Sequence, residues 1–124
     1  MSKFLVLFKI QLNELLLLFL GAIPGALIRW KVDNDFIVNL IGAAILGLLY
    51  GLEKNSRIYI ILGIGFCGAM TTFSTWILNG LDLAIKGNLI GSFYHLFGTL
   101  IFGIISAGLG FFAGSLVKLL RLFR

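Results

Sequence analysis

The segment GFCGAMTTFSTW, residues 65–76, holds the densest group of side chains that could bind an ion. It lies within a long apolar run. Its hydroxyl residues are Thr71, Thr72, Ser74 and Thr75. Such hydroxyls can bond to carbonyls of their own helix and permit a bend, and the glycines at positions 63, 65 and 68 lower the helix propensity just before them. These features predict an unwound segment near the middle of a membrane span, whose freed carbonyls and hydroxyls form an ion site.

Few other polar side chains lie deep in the apolar runs, and each has more than one interpretation. Asn39 could glue two helices together by a hydrogen bond or could donate its amide to a ligand. His95 and Thr99 share a helix face with positions 102 and 106, which predicts a sparse polar stripe; a satisfied buried histidine is the simpler alternative. Arg29 either anchors a helix at the membrane surface or lines an anion vestibule.

Glu14 is the only carboxylate that could serve proton-coupled transport, as in a small multidrug exporter. The alternative is a place in the first turn of a helix at the membrane interface, where it complements the helix dipole. The sequence indicates no enzyme, because it contains no catalytic triad by spacing and no phosphate loop. The single cysteine, Cys67, excludes an internal disulfide, and no metal site with His, Cys or carboxylate ligands is indicated.

The composition places the chain in a membrane. Of its 124 residues, 60% are hydrophobic and only 12% are charged, and the mean hydropathy is +1.08. A soluble domain of this size could not bury so much apolar surface. Four apolar runs, at about 12–30, 36–52, 58–81 and 89–117, predict an all-α bundle of four transmembrane helices in one domain, residues 1–124. The net charge of +5 comes from basic residues that flank these runs, which favours a lipid surface over nucleic acid.

The distribution of basic residues predicts the orientation. Four spans place both termini on one side of the membrane. Seven basic residues lie on that side: Lys3, Lys9, Lys54, Arg57, Lys118, Arg121 and Arg124. Three lie on the other side: Arg29, Lys31 and Lys86. This bias favours cytoplasmic termini. Glycine pairs at a spacing of four, at 21/25, 47/51 and 110/114, predict close helix packing.

At this point the residues resemble those of a known family. GFCGAMTTFSTW closely resembles the signature of the Fluc (CrcB) fluoride ion channels, a Gly-x-x-Gly-x-x-Thr-Thr-Phe-Ser-Thr-Phe pattern. GAIPGALIRW resembles the glycine-rich first helix of that family, which ends in Arg and an aromatic residue. VNLIGAAILGLLYG resembles its Asn-x-x-Gly second helix. The resemblance covers nearly the whole chain.

The resemblance implies a passive fluoride channel in the plasma membrane, which exports cytoplasmic fluoride and so reduces its toxicity. Members of this family are antiparallel dimers with two pores. A structural sodium ion at the dimer centre would be held by the carbonyls of Gly68 and Thr71, and Arg29 would form a basic vestibule. The residues expected along the fluoride pore are Asn39, Thr72, Phe73, Ser74, Trp76, His95 and Thr99.

The sequence departs from the family pattern at three positions. Trp76 replaces the second phenylalanine of the signature, His95 stands where members carry a tyrosine, and Gly103 lacks a hydroxyl. Together with the charge bias, these departures suggest a subunit of fixed orientation that pairs with an inverted paralogue; an antiparallel dimer with itself is the alternative. A proton-coupled exporter and a non-transporting structural subunit are the rival functions.

Overall fold

The computed structural model describes residues 3–52 and 57–123, with side chains from residue 11 onward. This part of the chain is entirely helical apart from short connections. Four helical stretches in it are long and apolar enough to cross a membrane, which confirms the predicted all-α class with four spans. They are Gln11–Val32, Asp35–Leu52, Tyr59–Ile85 and Leu89–Leu122. Lys54 and Arg124, which entered the orientation argument, lie outside the described residues, as do the side chains of Lys3 and Lys9.

The first helix, α1, extends over Lys3–Val32 and contains Pro24. It begins well before the first apolar run, so Glu14 lies in the middle of the helix. The prediction that Glu14 occupies a first turn was therefore wrong; residues 4–8 are apolar and continue the helix toward the N-terminus. Arg29 and Lys31 lie in the last turn of α1, where positive charge complements the helix dipole.

The second helix, α2, extends over Asp35–Leu52, and polar side chains stabilise its start. The Asn34 side chain accepts a hydrogen bond from the Ile37 N–H at 3.0 Å, and Asp35 supplies an acid to the first turn. The connection from α1 turns at Asp33, whose φ of 46° lies in the left-handed region that Asp tolerates better than most residues.

The third span consists of several pieces. A π-helix occupies Tyr59–Cys67, a single α-helical turn, α3, follows at Gly68–Met70, and α4 runs over Ser74–Ile85. The sequence did not predict the π-helix. Helical structure resumes after a turn with α5, Leu89–Leu122, whose N-terminus is capped by Asn88.

The helices pack as two parallel pairs, α1 with the π-helix and α2 with α5, and α2 also contacts the π-helix. Backbones approach closely at the predicted glycine pairs. A methyl group at Gly21 would collide with the Ile61 carbonyl, and one at Gly110 would collide with the Ala44 carbonyl. Most large apolar side chains point outward, as expected where lipid is the surrounding solvent. The close glycine contacts fix α2 against α5 and α1 against the π-helix, and so position the residues between them.

Candidate functional site

Residues 71–73 interrupt the third span between α3 and α4. Thr71 is extended, with a ψ of 154°. Its N–H and its hydroxyl both donate to the Cys67 carbonyl, at 3.0 and 2.9 Å, which is the bond to the hydroxyl's own helix that the sequence suggested. The chain therefore leaves the helical path after Thr71, and the next residue must find hydrogen-bond partners elsewhere.

Asn39 of α2 supplies those partners. The Thr72 N–H donates to Asn39 Oδ1 at 2.7 Å, and Asn39 Nδ2 donates to the Thr72 carbonyl at 2.9 Å. One amide side chain thus satisfies both backbone groups of a residue that belongs to no helix, where an unpaired buried group would be costly. Of the two interpretations of Asn39, the interhelical bond is present, and one hydrogen of Nδ2 is left for another acceptor.

The interruption also releases two carbonyls from helical bonding. In a continuous helix the Gly68 carbonyl would accept from the Thr72 N–H, but that N–H donates to Asn39. The Thr71 carbonyl would accept from the Thr75 N–H, which donates instead to Thr72 Oγ1 at 3.2 Å. Gly68 is exposed, and a Cβ placed on it would meet no atom of the described chain within 4 Å. Both carbonyls named in the sodium prediction are therefore free of their ordinary helical donors.

The hydroxyls next to the interruption form a local network. Thr72 is buried, and its hydroxyl donates to Thr75 Oγ1 at 3.0 Å while it accepts the Thr75 N–H. Ser74 Oγ lies 3.5 Å from Thr72 Oγ1. This network satisfies a free amide of the first turn of α4 and so starts the second part of the span.

An open-sided cavity of about 390 Å³ lies between the interruption, α2 and α5. Its lining residues are Asn39, Thr71, Thr72, Phe73, Trp76, Thr99, Leu100, Gly103, Ile104 and Ala107. The lining is mainly apolar, with a few converging polar groups, as in sites that bind small ligands. Among the residues expected along a pore, the structure brings Asn39, Thr72, Phe73, Trp76 and Thr99 to this one cavity. Ser74 and His95 are not among its lining residues.

Phe73 and Trp76 form the aromatic part of the lining. Their ring centroids are 5.4 Å apart, with an edge-to-face angle of 61°, and 72% of Phe73 is exposed. The indole Nε1 of Trp76 is buried and has no hydrogen-bond partner among the described residues. An aromatic edge carries partial positive charge, so the exposed Phe73 ring is available to an anion.

Arg29 ends α1 beside the interruption. Its Nη1 lies 3.4 Å from the Thr71 carbonyl, which is a long contact, and the residue is exposed. Arg29 does not line the cavity. The guanidinium thus lies close to the interruption at the surface, which is compatible with either interpretation of this residue.

The predicted polar stripe on α5 divides into separate contacts. The Thr99 hydroxyl lies in the cavity lining and donates to the His95 carbonyl at 2.6 Å. His95 Nε2 lies 3.1 Å from Asp35 Oδ2, and neither residue is among those that line the cavity. Position 102 is a phenylalanine that packs edge-on against Phe36, and the Ser106 hydroxyl donates to the Leu40 carbonyl at 2.9 Å.

Two residues that the sequence reasoning did not include accompany His95. Asp35 is buried, with 7% of its surface exposed, and Asn79 Nδ2 donates to its Oδ1 at 2.8 Å. The spacing held a signal for Asp35, because it precedes Asn39 by one helical turn and therefore shares its face.

The fold and the cavity together define a class: a multi-pass α-helical membrane protein with a mainly apolar cavity that a few polar groups line, beside residues 71–73. The Thr-Thr-Phe-Ser-Thr segment, residues 71–75, indicates which family within this class the chain belongs to. The family model described as "CrcB-like protein, Camphor Resistance (CrcB)" matches residues 16–111, and the chain belongs to this family.

Curated relatives carry consistent names. The chain is 44% identical over 117 residues to "Fluoride-specific ion channel FluC 2" of Synechococcus sp. (strain CC9902), covering 90% of this chain and 87% of the relative. It is 45% identical over 104 residues to the protein of the same name from Prochlorococcus marinus (strain MIT 9313), covering 84% of each. It is 42% identical over 115 residues to the protein of that name from Synechococcus sp. (strain CC9605), covering 89% of this chain and 87% of the relative.

Proposed function

We propose that this chain forms a fluoride-specific ion channel and is not an enzyme. The observation that carries the proposal is the membership of the CrcB-like family, in which relatives of similar length bear that name. The cavity formed by Asn39, Phe73 and Trp76 beside the interruption supports it. Neutral HF enters a cell by diffusion and dissociates inside, and the trapped anion leaves through the channel down its electrochemical gradient.

The lining offers fluoride a small number of weak donors. Asn39 Nδ2 retains one hydrogen beyond the bond to Thr72. The Phe73 ring is exposed and can present its positive edge. The Thr99 hydroxyl gives its hydrogen to the His95 carbonyl, so it serves the site by fixing the cavity wall rather than as a donor. Several weak sites in series suit conduction of a strongly hydrated anion better than one tight site.

The pore of the functional channel includes the other residues expected from the sequence. Ser74 and His95 lie outside the cavity of the single chain, so a role in the pore requires a surface that a second subunit completes. Arg29, exposed at the end of α1, raises the local anion concentration in a vestibule. Substituting Ser74, His95 or Arg29 and measuring both fluoride flux and stability would distinguish a residue that contacts the anion from one that only supports the fold.

A structural sodium ion held by Gly68 and Thr71 forms part of the proposal. Carbonyl oxygens are ligands that hard cations accept, and both carbonyls have lost their helical donors. Each chain supplies only these two oxygens, so a complete coordination shell needs a second subunit. The exposed surface at Gly68, where even an added Cβ would meet nothing, leaves room for one.

An antiparallel dimer would hold this sodium ion at its centre. Two inverted copies would bring the interruption of each chain to the same depth only if it lies at midspan. Thr72 is equidistant from the two ends of the span Tyr59–Ile85, which supports a break in the third helix at the middle of the membrane. The partner is either a second copy or an inverted paralogue, and the bias of basic residues favours the paralogue.

The proposed channel lies in the plasma membrane with cytoplasmic termini. The proton-coupled exporter is the weaker alternative, because Glu14 lines a different cavity, together with Asn13 and Arg57. A carboxylate that drives transport must reach the transported ion, and Glu14 is not among the residues around Asn39 and Phe73. A non-transporting structural subunit predicts instead that Asn39 and Phe73 tolerate substitution.

The decisive experiment is fluoride efflux from liposomes that contain the purified chain, measured with a fluoride electrode. Chloride efflux is the selectivity control, and the experiment is run with the chain alone and with an inverted paralogue from the same source. We expect fluoride efflux without chloride efflux. Failure of both preparations to carry fluoride would overturn the channel proposal, whereas robust efflux from the chain alone would contradict the heterodimer. Abolition of transport in Glu14→Gln with Asn39→Asp unaffected would favour the exporter.

A further inference from the structure

A polar cluster around one buried carboxylate joins three helices outside the cavity. It consists of Asp35 at the start of α2, Asn79 of α4 and His95 of α5. Asn79 donates to Asp35 Oδ1 at 2.8 Å. His95 Nε2 lies 3.1 Å from Asp35 Oδ2, within ion-pair distance. The contact does not have hydrogen-bond geometry, and neither of these two buried atoms has a hydrogen-bond partner among the described residues. A protonated His95 ring would therefore lie beside the carboxylate as an ion pair.

The cluster is stacked directly on the cavity. Each of its members lies one helical turn from a cavity-lining residue of the same helix, and therefore on the same face. The pairs are Asp35 with Asn39, Asn79 with Trp76, and His95 with Thr99. Asp35 and His95 precede their cavity-lining partners in the chain, whereas Asn79 follows its partner. Because α4 runs opposite to α2 and α5, all three cluster residues therefore lie at the same end of the cavity. At 1.5 Å per residue, the cluster lies about 6 Å along the helices from the Asn39 layer.

The carboxylate has no permanent cation to balance it within the described residues. Asn79 is uncharged, and it is the contribution of α4 to the cluster. The next charged residue on α4, Asp82, is paired with Lys86, and both side chains are more than half exposed. Arg29 of α1 faces the Thr71 carbonyl instead. In this part of the chain, the charge on Asp35 is therefore set against His95 alone.

From this geometry we propose that Asp35 and His95 form a proton-binding site that controls fluoride flux. The inference rests on the proposed function. When the His95 ring is neutral, Asp35 leaves a net negative charge one turn from the cavity and repels the anion. When both ring nitrogens carry protons, the pair is neutral and the barrier falls. Acidification favours the doubly protonated ring of a histidine, so fluoride flux increases as the pH falls.

The test is fluoride efflux from liposomes of the complete channel, measured at about pH 5 and at about pH 8, with equal pH on the two sides of the membrane. Protein-free vesicles at each pH measure the leak of neutral HF, which is subtracted. We expect flux of the unmodified protein to rise on the order of tenfold on acidification, from the loss of one charge near the pathway. Asp35→Asn should conduct at the high level at both pH values, and His95→Gln at the low level at both. Asp82→Asn, an exposed carboxylate near the same end of α4, should respond as the unmodified protein does.

A second measurement does not depend on transport. The chain contains one histidine, so the NMR spectrum of protein labelled only at histidine reports the ring of His95 alone. The pH at which this signal changes should match the pH at which flux changes, and Asp35→Asn should displace it while Asp82→Asn does not. Flux that is independent of pH, or a histidine signal that ignores Asp35, would overturn the inference. Absence of flux at every pH would instead count against the channel itself, and the ring spectrum would still decide whether the pair binds a proton.

Discussion

The Asn39 side chain pairs with both backbone groups of Thr72, at 2.7 and 2.9 Å. A single amide thereby replaces the two helical bonds that the interruption removes. It also directs its remaining Nδ2 hydrogen at a fixed position beside the cavity. The structural support and the proposed anion contact thus belong to the same side chain, and variants at position 39 test both.

Asn39→Asp should reduce fluoride flux by at least about tenfold. The carboxylate can still accept the Thr72 N–H, but it presents an oxygen to the Thr72 carbonyl and a negative charge to the anion, and the lost bond destabilises the fold by about 1–3 kcal/mol. Flux and thermal unfolding measure the two effects. Asn88→Asp is the matched control, because Asp caps a helix as well as Asn does and Asn88 only accepts from the Gly91 N–H. Normal flux in Asn39→Asp would contradict the proposed contact.

Phe73→Ile should reduce fluoride flux without lowering the amount of folded protein. The ring is largely exposed, so its removal should change the free energy of unfolding by less than about 0.5 kcal/mol. Isoleucine has no positively charged edge to offer an anion. Phe112→Ile is the matched control. Phe112 lies on α5, is 70% exposed and does not line the cavity, so this variant should keep full flux. Equal losses in both variants would show that the effect is not specific to the cavity.

Trp76→Phe should retain fluoride flux and should not destabilise the protein. The indole N–H is buried without a partner among the described residues, and an unsatisfied buried donor costs about 1–3 kcal/mol; phenylalanine removes that donor and keeps an aromatic edge. Trp30→Phe is the control, because Trp30 is 81% exposed and its loss should leave stability unchanged. A clear loss of flux in Trp76→Phe alone would instead indicate that the N–H contacts the anion.

Gly68→Ala distinguishes a free surface from a subunit interface. An added Cβ would meet nothing in the described chain, and alanine favours a helix by up to about 1 kcal/mol over glycine, so an isolated subunit should tolerate it. If Gly68 faces the partner across the sodium ion, the methyl group should weaken the dimer and abolish flux. Gly98→Ala is the control, because a Cβ there would also meet no atom of the described chain within 4 Å. This variant should leave the dimer and the fluoride flux unchanged. Size-exclusion chromatography with light scattering in detergent follows the dimer.

Replacement of sodium by a large organic cation during purification should lower the dimer fraction and the flux together. The Gly68 and Thr71 carbonyls would then lack the cation that draws two subunits together, and like dipoles would face each other at the interface. Restoring sodium should recover both properties. A dimer of equal stability in the two salts would argue against a structural sodium ion, while leaving the fluoride assay as a separate test of the channel.

The number of spans could be predicted because apolar runs of about 20 residues have few alternatives to membrane helices. Glu14 was misplaced because the start of α1 depends on how far a helix continues beyond the apolar run. The π-helix at Tyr59–Cys67 escaped prediction as well, because no residue type specifies that bond pattern by itself.

The candidate site was predictable to a similar degree. Residue type singled out Asn39 and Thr72, because an amide or a hydroxyl deep in an apolar run needs an explanation. Phe73 was singled out only by the resemblance to the family signature. The contact partners of these residues could not be predicted from the sequence. That Asn39 pairs with Thr72, 33 positions away, and that His95 meets Asp35 rather than the cavity, depends on which helices lie side by side.

By itself, the sequence determined a membrane protein of four helices and the set of polar residues available to an ion. These follow from hydropathy and local backbone preferences, which act over a few residues. Only the tertiary structure decided which of those residues share the cavity, which carbonyls are released and which carboxylate stands beside His95. Hydrogen bonds and charges act over a few ångströms, so their partners are fixed only once the parallel pairing of α2 with α5 has brought distant positions together.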